Sequence, residues 1–197
     1  MSSAASLHII QSSEASPRLR AAERWLTARA DRGALIVSAS RGAADDLART
    51  VALARGATAG MHRFSFAQLA ARLAAPVLAA RGIAPATLIG AEAVAARATF
   101  DARHDGGLAY FGDVAGTPGF PRALARTLHD LAMAGVEAPA LRDLPLGGAD
   151  LARLLEGFDE QFAAASATGR AALFTAACDG VGAVARLPLL LLDVPME

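Results

Sequence analysis

Two places in this sequence carry residue types that could handle a phosphate and a metal ion. The first is the loop Gln11-Ser-Ser-Glu-Ala-Ser-Pro17, which follows the apolar run LHIIQ at Leu7–Gln11. Ser12, Ser13 and Ser16 could offer hydroxyls there, and the start of a following helix would add backbone N–H groups that suit an anion. The loop has no glycine and no lysine, and Glu14 intrudes on it. An ordinary capped βα turn is its plainer reading. The second place is Asp193, which closes LPLLLLD. An apolar run ended by an acid has the shape of a Walker B strand, whose carboxylate organises magnesium. Strands of α/β proteins also end on Asp simply to cap a loop.

Residue types then narrow the chemistry. The 19 basic residues are all arginine, and 19 acidic residues balance them. Without lysine there is no P-loop of the usual kind, because its lysine meets the β- and γ-phosphates. Schiff-base catalysis on lysine is excluded as well. The zero net charge argues against a strongly basic nucleic-acid domain and against an acidic disordered tail. The single cysteine, Cys178, allows no intramolecular disulfide and no cysteine cage for zinc. It sits in an alanine-rich helical pattern, where a buried small apolar residue is expected.

The remaining candidates are dispersed. His8, His62, His104 and His129 lack metal-ligand spacing. Asp45 and Asp46 are expected in the first turn of a helix, where acids suit the dipole. Arg18, Arg20, Arg41, Arg63 and Arg122 stand near loop ends and are candidates for phosphate contacts. Ser38 and Ser40 follow a strand, where ligand loops gather in open sheets. Trp25, at helical spacing, is expected in the core.

These residues need elements to position them. The expected order opens with a buried strand at Leu7–Gln11 and a helix capped by Ser16 with Pro17 at its first position. Ala34–Ala39 (ALIVSA) is a second buried strand, and Ser40 caps a second helix to about Ala54. A β-α-β-α opening leads naturally to a parallel α/β sheet. Met61–Phe64 reads as a short strand, and Ser65 caps a helix over Phe66–Arg81 that Pro76 is expected to kink or divide. Helices follow at Thr87–Arg103, from Pro121 to about Ala134, at Asp150–Ala165 and at Ala171–Asp179, with a Gly- and Asp-rich loop over His104–Thr117. LPLLLLD closes the chain as a strand expected to be buried on both faces. With no helix to cover that strand, the chain reads as part of a longer one. No segment reads as a membrane span or a signal peptide, and the sparse cysteine usage suits a reducing cytoplasm.

Taken in order, these segments resemble the N-terminal part of AddB-type proteins of the PD-(D/E)XK nuclease superfamily. Those proteins carry an inactivated superfamily I helicase-like region. The resemblance runs through LHIIQSSEASPRLRAAERWL at the P-loop position, ALIVSASRGAADDLAR, HRFSFAQLAARLA, TPGFPRALARTLHDLAMAGVEAPAL, ADLARLLEGFDEQF and the Walker-B-like LPLLLLDVP. Order and spacing carry it more than any single piece. It implies an α/β fold with an incomplete RecA-like (P-loop-type) parallel sheet and a large helical insertion. Residues 1–60 would form the first part of the helicase-like domain, 61–186 the insertion, and 187–197 the returning strand.

The function so implied is a helicase-like module of a double-strand-break repair helicase/nuclease, one that scaffolds or guides DNA and does not catalyse. The partners would be DNA and an active helicase subunit, with no membrane. The P-loop position at Ser12, Ser13 and Ser16 is degenerate, so no catalytic residue and no cofactor is carried over. A divalent metal would belong to a nuclease domain downstream in the parent protein. Two other classes stand beside this reading. One is a small α/β enzyme that binds a phosphate ligand through Ser12–Ser16 and Ser38–Ser40. The other is a helical protein–protein scaffold.

Overall fold

The computed structural model describes residues 7–183 and 187–194. The chain is mixed α/β and divides into two compact units. One comprises Met1–Leu69 together with Val181–Glu197, and the other is Ala70–Gly180.

The first unit is built on a parallel sheet. Strand β1 (Ala34–Ser38) lies between β2 (Met61–Ser65) and β5 (Leu189–Leu192). The register aligns Ile36 with Arg63 on one side and with Leu190 on the other. β1 is buried along its whole length, as its unbroken ALIVS run requires. Helix α1 (Ala15–Thr27) and helix α2 (Arg41–Arg55) pack against each other. Leu26 of α1 and Leu47 and Val51 of α2 share a core with Ile36 and Leu192. Each such buried side chain contributes roughly 1.5–3 kcal/mol. Gly33 and Gly60 open β1 and β2 at positive φ, and a Cβ on Gly33 would stand 2.9 Å from the Gly60 carbonyl oxygen. Only glycine fits that approach, which lets Ala34 N–H reach the same oxygen at 3.1 Å.

Helix α3 (Phe66–Ala80) links β2 to the second unit in sequence and buries Ala70, Leu73, Ala74 and Leu78 along one face. The second unit is helical. Helix α4 (Leu88–His104), capped by Thr87, packs on α5 (Phe120–Met133) and on α7 (Gly148–Ala164). The short α6 (Ala138–Arg142) packs on α7, and α8 (Arg170–Gly180) packs on α5. Leu128, Leu154, Leu155, Phe158 and Phe162 form the centre of its core. Alanines and Gly157 let α4 and α7 approach closely, with Ala98 Cβ at 3.5 Å from a Cβ placed on Gly157. A two-residue parallel pair, β3 (Ala84–Pro85) with β4 (Ala167–Thr168), ties the segment before α4 to the segment after α7. Among the described residues no helix is long and apolar enough to cross a membrane.

Several sequence expectations are corrected. Leu7–Gln11 is not a strand: Leu7, Ile9 and Ile10 are exposed, and among the described residues nothing pairs with the segment. A strand exists only through its ladder partner, so β-branched composition alone cannot make one. Helix α1 begins at Ala15 after Glu14, which places Ser16 and Pro17 inside its first turn and leaves Ser16 with no capping role. Pro76 does not divide α3. It lies on the exposed side, where water meets the carbonyl its missing N–H leaves free. Asp45 and Asp46 fall one turn beyond the start of α2. β5 is an edge strand with Leu189 and Leu191 each 48% exposed, so it is not buried on both faces. Cys178 is exposed, and Trp25 is only partly buried, with the Arg29 guanidinium 4.0 Å from its ring centre.

Candidate functional site

Because the three strands of the sheet are parallel, their C-terminal ends open on one side. That side is where ligands bind in open α/β sheets. It gathers Ser38 at the end of β1, Ser65 at the end of β2 and Asp193 just past β5.

After β1, the buried Ser38 hydroxyl donates to the Ser40 carbonyl. Ser40 Oγ in turn accepts from Ala43 N–H at 3.3 Å and caps α2. After β2, Ser65 and Gln68 form a reciprocal pair. Gln68 N–H donates to Ser65 Oγ at 3.2 Å, and Ser65 N–H donates to Gln68 Oε1 at 3.0 Å. These hydroxyls are committed to helix starts, which leaves Ser38 and Ser65 as structural residues.

Beside α2 and β2 lies a groove of about 700 Å³ lined by Arg41, Arg49, Arg63, Asp45, Thr58 and Gly60 among others. Asp45 stands between two guanidinium groups, 3.4 Å from Arg41 Nε and 3.5 Å from Arg63 Nε. Arg49 pairs with Asp46 at 2.9 Å. Three arginines therefore face two carboxylates, and a positive excess is left on this wall. Arg41 opens α2, whereas Arg63 lies within β2. The parallel β1–α2–β2 crossover brings them together.

The two places first marked for chemistry are also brought together, by Arg18. Its Nε donates to Asp193 Oδ1 at 2.8 Å and its Nη2 to Asp193 Oδ2 at 3.3 Å. Its Nη1 donates to the Glu14 carbonyl at 3.0 Å and to the Ser12 carbonyl. Asp193 holds this place with a left-handed backbone, φ 49°, which Asp tolerates better than most residues. Ser12 Oγ accepts from Glu14 N–H at 3.2 Å and turns the loop. Ser13 and Ser16 are exposed.

The other candidates lie apart. Arg20 is exposed on α1, and Arg122 stands 3.8 Å from Glu92 in the helical unit. His104 stacks on Phe100 at 6.1 Å, and His8 and His62 are exposed. Among the described residues no group of three or more His, Cys, Asp or Glu side chains is placed to hold a metal ion.

Two residues of the helical unit carry more than the sequence signalled. Asp150, at the start of α7, is buried, and its carboxylate accepts from the backbone N–H groups of Ala109, Tyr110 and Phe111 at 2.7–3.1 Å. It fixes the loop that precedes α5. Asp159, on the exposed side of α7, has its carboxyl raised above the usual value, because partial desolvation disfavours the charged form. No protein-family model and no curated protein matches this chain.

Proposed function

We propose that this chain is a helicase-like module with a RecA-like sheet that guides DNA in a repair nuclease of the AddB type, and that it hydrolyses no nucleotide. The observation that carries the reading is the arginine groove beside α2 and β2. Arg41 and Arg63 share one carboxylate there, and a positive excess is left along the wall that α2 and β2 form. Guanidinium groups next to a helix start suit phosphodiesters, which they meet as planar, multidentate donors. The absence of lysine supports the non-catalytic part, since the usual P-loop contact to the β- and γ-phosphates has no donor. The module would act in the cytoplasm as a scaffold beside an active helicase subunit.

The test is fluorescence anisotropy of a labelled DNA oligonucleotide titrated with the whole chain, run beside calorimetric titration with MgATP. DNA binding that weakens with salt, with no heat from MgATP, supports the reading. MgATP binding without DNA binding would replace it with a phosphate-ligand α/β enzyme. Neither ligand binding would leave the helical scaffold.

A further inference from the structure

We infer that the loop before α1 and the carboxylate after β5 form a cation site, and that Arg18 is its resident cation. The inference rests on the reading of Ser12–Ser16 and Asp193 as the degenerate P-loop and Walker-B-like positions.

Polarity carries the argument. A phosphate-binding loop turns its N–H groups toward the ligand. This loop does the reverse. The carbonyl oxygens of Ser12 and Glu14 accept from Nη1 of Arg18, and the oxygens of Asp193 accept from Nε and Nη2 on another edge of the same guanidinium. Four oxygens of negative partial or full charge repel one another, so the arrangement needs a positive group at its centre. Arg18 supplies it from the first turn of α1. Its planar fork meets the carboxylate with two donors while the remaining nitrogen reaches the loop, which a lysine ammonium cannot do. The one N–H of the loop placed by a side chain, that of Glu14, is taken by Ser12 Oγ. The oxygens gathered around Arg18 therefore suit a guanidinium. The chain's own arginine thus ties the segment after β5 to the first turn of α1.

The experiment compares the whole chain with its Arg18→Ala, Arg18→Lys and Asp193→Asn variants, by amide hydrogen exchange over residues 12–18 and 189–193. Arg18→Ala is expected to speed exchange over 189–193 by about threefold to fivefold. Arg18→Lys should recover only part of the protection. Inorganic phosphate at millimolar concentration should slow exchange in neither Arg18→Ala nor the unsubstituted chain. Asp193→Asn keeps the shape of the site but removes its charge, so it carries the test if Arg18→Ala fails to fold, and it too should speed exchange over 189–193. Unchanged exchange in the variants would overturn the inference. So would protection of Arg18→Ala by phosphate. DNA anisotropy on the same samples separates the two claims: loss of all DNA binding in the unsubstituted chain removes the DNA reading, whereas the exchange results judge the cation site alone.

Discussion

Arg18 Nε lies 2.8 Å from Asp193 Oδ1, although 175 residues separate the two in sequence. The contact joins the helix that opens the first unit to the strand that completes its sheet, with Ala70–Gly180 lying between them along the chain. Its side chains are 25% and 48% exposed, so the ion pair alone contributes about 1 kcal/mol or less. Its importance lies in geometry. It brings the two places the sequence marked for phosphate and metal into one cluster, and that cluster already holds a cation.

Asp150 should be the most costly single polar residue to remove. Its carboxylate satisfies three backbone N–H groups, and Asp150→Ala would strand them in a part-buried loop. A loss of about 2–4 kcal/mol is expected, since unsatisfied buried donors cost about 1–3 kcal/mol each and water recovers part of this. Urea unfolding followed by circular dichroism measures it. Asp150→Asn retains one acceptor oxygen and should lose less.

Gly33→Ala should destabilise the sheet by about 1–3 kcal/mol, from a positive φ that L residues resist and from the 2.9 Å approach to the Gly60 carbonyl. Gly56, at φ 84° with nothing within 4 Å of an added Cβ, is the matched control. Gly56→Ala meets only the backbone term and should cost less. Thermal melting of the two variants side by side decides whether the β1–β2 approach matters.

Asp159 makes stability depend on pH with a defined sign. Its folded-state pKa is raised by desolvation, so the folded chain holds that proton more tightly than the unfolded chain does. The resulting contribution is present in full below the usual carboxylate range and is lost as pH rises through the raised value. Asp159→Asn cannot ionise. Its stability relative to the unsubstituted chain should therefore climb from about pH 4 upward and then level off. Urea midpoints taken between acid and neutral pH show it, and parallel curves for the two proteins would refute it.

Much of the first unit was legible in the sequence, because its signals are local. The ALIVS run gave a buried strand, Ser40 and Ser65 gave helix starts, and LLLL gave β5. The long amphipathic helix containing Leu151, Leu154, Leu155, Phe158 and Phe162 was legible for the same reason. What stayed hidden depends on partners far along the chain. LHII has strand composition and, among the described residues, no ladder partner. β3 and β4 are two residues each and exist only through each other. α6 is five residues long, too short for a periodic pattern. Arg18 was marked as a possible phosphate contact, and only the fold reveals that a carboxylate at the other end of the chain has claimed it. Asp150 gave no signal beyond an acid near a helix start, since the loop it holds is about 40 residues upstream.

The arginine groove is the centre of the functional account, and the salt dependence of DNA affinity tests it most directly. The affinity of the whole chain for a DNA oligonucleotide is measured across a range of salt concentrations and compared with an Arg41→Ala/Arg63→Ala double variant. If both guanidinium groups meet phosphates, the magnitude of the log–log slope should fall by about 1.4 on a single strand or about 1.8 on a duplex. Melting curves confirm that the variant stays folded. An unchanged slope in a folded variant, or no DNA binding by the unsubstituted chain at low salt, would contradict the account.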